Sequence, residues 1–164
     1  MNPSRPAIRA VFDCMVFLQA AARRESPAGA CLLLVEFGAI ELCLSREIVA
    51  EVRDVLGRER LRRKFPALTA EFVDSFLTAL EKQSRLVPDV PRIFPYSRDP
   101  KDESYLNLAL AAGANYLVSR DSDLLDLARQ SDADGERLRL QAPRLRVLDP
   151  AAFLAEMRRL RASG

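Results

Sequence analysis

Arg98-Asp-Pro-Lys-Asp-Glu-Ser-Tyr-Leu-Asn-Leu-Ala-Leu-Ala-Ala-Gly-Ala-Asn-Tyr-Leu-Val-Ser-Arg-Asp-Ser-Asp-Leu124 is the stretch whose reading decides the fold. Asp99-Pro100 has the form of a helix cap followed by proline at the first helical position, and the spacing predicts a helix from about Asp102 to Ala112. Gly113 then supplies a tight turn, and Tyr116 to Ser119 reads as a short apolar strand. Carboxylates stand at both ends: Asp99, Asp102 and Glu103 before, Asp121 and Asp123 after. A helix that feeds a strand of a parallel sheet starts at the edge where that strand ends, so the two acidic groups are expected to meet. Carboxylates crowded together repel, and a divalent cation among them relieves the repulsion.

Working outward, an absence narrows the chemistry further. The chain contains no histidine, which excludes Ser-His-Asp and Cys-His catalysis and ordinary zinc sites. Hard-cation chemistry with oxygen ligands remains. A formal net charge of +2 argues neither for nor against a polyanionic partner. Arginine dominates the basic residues, with lysine only at 64, 82 and 101, and guanidinium forks match phosphate oxygens, although GC-rich coding gives the same bias. Cys14, Cys31 and Cys43 lie in apolar runs without metal or redox spacing, as small core residues of a reducing compartment do. Acidic residues interrupt every candidate membrane span, and the first residues lack the apolar core of an export signal, so a cytoplasmic protein is expected.

The 164 residues read as one domain, 1–164, with its core at about 8–153 and a C-terminal helix at about 150–161. Strands are expected at Ile8 to Phe12, Ile40 to Leu44, Arg85 to Val87, Tyr116 to Ser119 and Leu145 to Leu148. Helices are expected after Asp13, after the caps Ser26, Ser45 and Thr69, over Leu124 to Arg129, and after Asp149-Pro150. The Thr69 helix shows Phe72, Phe76, Leu77 and Leu80 as an apolar face, and Ser131 to Glu136 reads as a polar loop. Alternating short strands and helices predict a three-layer α/β/α sandwich around a mostly parallel sheet.

In such a sheet Asp13 follows the first strand, Asp121 follows the fourth, and Asp102 opens the helix feeding the fourth. Glu51 lies about two turns into a helix that leaves the same edge. Together these four could hold one or two Mg²⁺ or Mn²⁺ ions. Each also has a plainer reading: Asp99 and Asp121 as helix caps, Asp102, Glu103 and Asp123 as first-turn acids facing the helix dipole, Glu51 as a solvated face. The basic residues Arg53, Arg58, Arg60, Arg62, Arg63 and Lys64 are interspersed with Asp54 and Glu59, as a phosphate-binding surface or a solvated helix end would be.

Four blocks in this order resemble the PIN-domain nucleases: Val11-Phe-Asp-Cys-Met-Val-Phe-Leu-Gln-Ala20, Leu44-Ser-Arg-Glu-Ile-Val-Ala-Glu-Val52, Arg98 to Ala109, and Tyr116-Leu-Val-Ser-Arg-Asp-Ser-Asp-Leu-Leu125. The resemblance runs from about Ile8 to Phe153, and is strongest to toxin components of bacterial type II toxin–antitoxin pairs. It implies catalytic and metal-ligating roles for Asp13, Glu51, Asp102 and Asp121, with Asp123 a further metal ligand and Asp99 and Ser119 auxiliary. It implies a Mg²⁺- or Mn²⁺-dependent endoribonuclease in which metal-activated water attacks the phosphodiester without a covalent enzyme intermediate. It implies also a homodimer, and a small antitoxin protein covering the site. Arg60, Arg62, Arg63 and Lys64 are then the candidates to hold RNA phosphates.

One position departs from the family pattern. Met15 stands where the family commonly has Asn, and a thioether neither donates nor accepts a strong hydrogen bond. A catalytically weak or silent PIN-like module that binds RNA or protein is therefore the rival reading. Met15 also argues against an aspartyl-phosphate phosphatase, which needs a second Asp at that position. A phospho-receiver domain would need a late lysine that is not evident.

Overall fold

The computed structural model describes residues 8–163; residues 1–7, where an export signal is not expected, lie outside it. In chain order the elements are β1 (Arg9–Phe12), α1 (Cys14–Ala22), α2 (Pro27–Glu36), β2 (Glu41–Leu44), α3 (Arg46–Leu56), α4 (Glu59–Lys64) and α5 (Ala70–Gln83). Then follow β3 (Arg85–Leu86), α6 (Pro100–Ala112), β4 (Tyr116–Val118), α7 (Ser122–Leu127), α8 (Ala133–Gln141), β5 (Arg146–Leu148) and α9 (Pro150–Ala162).

Short polar side chains start these helices where the sequence predicts. Ser26, Ser45, Thr69, Asp99 and Asp149 each accept a hydrogen bond from a first-turn amide, and Pro27, Pro100 and Pro150 occupy first positions. Each such cap is worth about 1 kcal/mol against alanine. Gly113 ends α6 in the left-handed region at φ 62°, which a residue without Cβ adopts at no steric cost.

The strands form one sheet in the order β3-β2-β1-β4-β5, and each of its pairings is parallel. Chain order reverses between β1 and β4, which opens a crevice beyond their C-terminal ends. Register makes those two ends level: Phe12 pairs with Val118, and the Asp13 amide donates to the Val118 carbonyl at 3.0 Å. Asp13 and Ser119 are thus the first residues beyond the sheet on either side of the crevice.

Ala10, Val11 and Phe12 are all buried, so helices cover both faces of β1. α6 packs against β1, β2 and β4, and α3 packs on α6 and α5, while α2 packs against both α1 and α9. Phe12, Phe17, Tyr116 and Phe153 form an aromatic cluster with ring centroids 5.3–6.1 Å apart. The three cysteines are buried and free. Among the described residues no helix is long and apolar enough to cross a membrane.

Two local expectations are corrected. Ser131 to Glu136 is not a loop: α8 starts at Ala133, capped by Asp132 through the Gly135 amide at 2.9 Å. Only Gly135 and Leu138 of that helix are buried, so its sequence carries no apolar period to read. A Cβ at Gly135 would lie 2.3 Å from the Gln130 carbonyl oxygen, which explains a glycine inside a helix. On α5 the buried face is Val73, Leu77 and Leu80, and Phe72 is exposed, stacked on Phe76. Leu77, Leu80 and the core-packed Phe76 keep their expected face, and only Phe72 departs, with Val73 buried instead.

Candidate functional site

The crevice between β1 and β4 is bordered by the start of α1, the start of α6 and the turn into α7. Asp13 caps α1 and is 4% exposed. Its Oδ1 accepts from the Val16 amide at 3.1 Å. Its Oδ2 accepts from the Ser119 hydroxyl and, at 3.4 Å, from the Arg120 amide. Ser119 in turn accepts from the Asp121 amide at 2.9 Å. Burial raises the Asp13 pKa, the hydrogen bonds from Ser119, Val16 and Arg120 oppose that, and Asp121 adds repulsion.

Asp99, Asp102 and Asp121 come together. One carboxylate oxygen from each lies within 4.8 Å of the other two. Asp99 and Asp121 have fixed orientations because both are caps: Asp99 accepts from the amides of Lys101 and Asp102 at 3.0 and 3.3 Å, Asp121 from that of Asp123 at 2.8 Å. Asp102 differs. It is 4% exposed, and its Oδ2 is buried without a hydrogen-bond partner. Burial, then the charges of Asp121 and Asp99, push its pKa up to about 7. Three converging carboxylates with one orphaned, buried oxygen fit a hard divalent cation, which would take oxygen donors of this kind and remove the repulsion.

Glu51 is not in that triangle. Its Oε2 accepts from the Tyr105 hydroxyl at 2.8 Å, and the same hydroxyl accepts from the Cys14 amide at 3.0 Å. Glu103 is drawn away altogether: it pairs with Arg92 at 2.9 and 3.0 Å and accepts from the Tyr96 amide. Asp123 is exposed in the first turn of α7. Arg60, Arg62, Arg63 and Lys64 are exposed on α4, where Arg63 pairs with Glu59 and Lys64 lies over the Phe65 ring. Burial, Glu51 and Asp13 push the Cys14 thiol up to about 12, and Arg58 and Lys101 oppose them. Met15, two residues after Asp13 in the first turn of α1, is 48% exposed.

A family model described as PIN domain matches residues 9–123. The chain belongs to the PIN-domain family. The match spans β1 to the start of α7 and so contains every acidic residue of the crevice. No curated protein matches this PIN domain at a significant level. Ten chains of solved structures do match. Among them is one from the crystal structure of VapBC2 from Rickettsia felis bound to a DNA fragment from their promoter, with a TM-score of 0.56 and 13% identity. That superposition covers 87% of the PIN domain chain and 98% of the other chain; at such identity the likeness concerns the fold.

Two residues of the crevice have roles that the sequence alone only hints at. Asp99 looks complete as a cap, yet its spacing of three from Asp102 already puts both on one side of the helix start, a signal of proximity. Tyr105 looks like an ordinary core aromatic. Only its partners on α1 and α3 reveal a polar task for the hydroxyl.

Proposed function

We propose that this PIN domain is a divalent-cation-dependent endoribonuclease that hydrolyses RNA phosphodiesters and acts as the toxin of a toxin–antitoxin pair. The observation that carries the proposal is the buried, unpartnered Oδ2 of Asp102 within a triangle of three aspartates. Asp99, Asp102 and Asp121 are the residues that would hold Mg²⁺ or Mn²⁺, with Asp13, Glu51 and Asp123 around them. When bound, such a cation lowers the pKa of water to make a nucleophile and offsets charge developing on a phosphate.

The rest of the chemistry belongs to the chain's own groups. Ser119 and two backbone amides hold Asp13 in one orientation and favour its charged form against the effect of burial. Burial and the charges of Asp121 and Asp99 raise the Asp102 pKa to about 7, and a cation bound there would favour its charged form, with the proton leaving to solvent. Arg60, Arg62, Arg63 and Lys64 bind phosphates of the strand further along. No histidine is required at any point, in keeping with the composition.

The family and the fold shared with a chain of the VapBC2 complex support a small antitoxin protein as partner. A homodimer, a cytoplasmic location and a single domain over 1–164 complete the proposal. The exposed Met15 favours a second reading, a PIN module that binds RNA without cutting it. Cleavage of a labelled single-stranded RNA, with Mn²⁺ and with chelator, separates the two. Cutting that needs Mn²⁺ and is lost in Asp102→Asn supports the nuclease, whereas binding without cutting supports the silent module.

A further inference from the structure

Tyr105 lies on α6 one turn after Asp102, so the two side chains leave the same side of the helix. It is 3% exposed, and its hydroxyl makes two bonds to two other elements. It donates to Glu51 Oε2 on α3 at 2.8 Å and accepts from the Cys14 amide, at the start of α1, at 3.0 Å. That amide follows Asp13 directly. Two elements that border the crevice, α1 and α6, are thus joined to α3 through one phenol oxygen. Glu51 accepts no other hydrogen bond among the described residues, and its Oε1 is uncommitted.

We propose that Tyr105 is a positioning residue that acts through Glu51, fixing the carboxylate so that its free oxygen serves a cation held in the crevice. The inference rests on the cation-dependent reading given above. A glutamate has three side-chain torsions, and one of part-buried position on a helix samples several rotamers unless something holds it. A hydrogen bond from a buried phenol to one oxygen removes that freedom and leaves the other oxygen at a set place. The bond from the Cys14 amide holds the phenol itself, since it fills the acceptor side of the hydroxyl and directs its proton to Glu51. A phenol keeps its proton at neutral pH, so the hydroxyl remains a donor. The ring fills core space in any case; only the oxygen carries the proposed task.

The experiment is a double-variant cycle on Mn²⁺ affinity, read by calorimetry in the absence of RNA. Tyr105→Phe keeps the ring and removes the oxygen. It is expected to weaken Mn²⁺ binding ~10–100-fold, the range for loss of a group that orients a metal ligand. Glu51→Ala is expected to weaken it at least as much, and Tyr105→Phe/Glu51→Ala no more than Glu51→Ala alone. Amide exchange at Cys14 in the metal-free proteins provides a second readout and a check on folding. It should quicken in Tyr105→Phe, with the other core amides unchanged. Equal or tighter Mn²⁺ binding by Tyr105→Phe overturns the role of Tyr105, as do losses that add in the double variant, which mark a merely structural hydroxyl. Either result leaves the nuclease reading standing. A wild-type protein that binds no Mn²⁺ overturns both.

Discussion

Asp102 would be under opposite demands with and without a bound cation, and that makes it the most informative residue to change. An aspartate in an unfolded chain protonates near pH ~3.9, whereas in the fold Asp102 protonates at about 7. Between those values the native state binds more protons than the unfolded one, so stability falls as pH rises from about 4 to about 7, and is level above. Asp13, raised in the same direction by burial, adds to the slope. Asp102→Asn cannot ionise. In chelator, its melting temperature relative to wild type should therefore rise across this window and stay highest at about pH 8. An advantage that does not grow with pH would show that the Asp102 carboxylate ionises without cost. The same variant should lose Mn²⁺-dependent cleavage. At this scale the sequence was informative about identity but not about allegiance. Asp13, Asp102 and Asp121 could be named from their positions beside strands and helix starts. That Glu103 belongs to Arg92, and Glu51 to Tyr105, depends on partners 11 and 54 residues away.

Elements show the same division. Cap residues and first-position prolines announce α2, α3, α5, α6 and α9, because the interactions that start those helices lie within four residues. α4 and α8 bury almost nothing, so periodicity is silent there. If α4 carries the RNA-binding residues, replacing Arg60, Arg62 and Arg63 with Ala should weaken RNA binding and flatten its dependence on salt. The slope should fall by about 0.7 for each single-strand phosphate that the protein no longer neutralises. A slope that does not change would place the bound strand elsewhere. α9 is tied to the sheet through Glu156, which pairs with Arg146 of β5 at 2.9 Å and Arg159 at 2.5 Å, and accepts from Tyr116 of β4 at 3.3 Å. The hydrogen bond from Arg159, opposed by desolvation and helped by Arg146, lowers the Glu156 pKa to about 2. A depressed acid stabilises the fold above its unfolded value, near ~4.3, and that contribution is lost as pH falls through about 2. Glu156→Gln should thus cost about 1 kcal/mol at neutral pH, no more because both guanidiniums are exposed to solvent screening. Denaturant titration should show the gap closing as pH drops toward about 2.

For the whole molecule, the test is whether the acids form one site. A cation that binds only the folded state stabilises it by RT ln(1 + [L]/Kd), about 2.7 kcal/mol at ~100 times Kd, several degrees in a domain of this size. Millimolar Mn²⁺ at neutral pH should raise the melting temperature accordingly, with a smaller rise in Asp13→Asn and Asp121→Asn. A melting curve indifferent to Mn²⁺ would mean that the aspartates meet without forming a cation site. What the sequence determined by itself is the alternation of strands and helices, the parallel sheet, and the placing of acids after β1, after β4 and at the start of α6. Local signals suffice for that: caps, prolines, glycine turns and apolar runs act over a few residues, and parallel connectivity then sends each acid to a strand's C-terminal end. The strand order β3-β2-β1-β4-β5 and the level register of Phe12 with Val118 were decided by tertiary structure. So was the meeting of Asp99, rather than Asp13 or Glu51, with Asp102 and Asp121 in one triangle. Hydrogen bonds a few ångströms long settle such choices, between groups up to 107 residues apart in the chain, and no pattern of neighbouring residues records them.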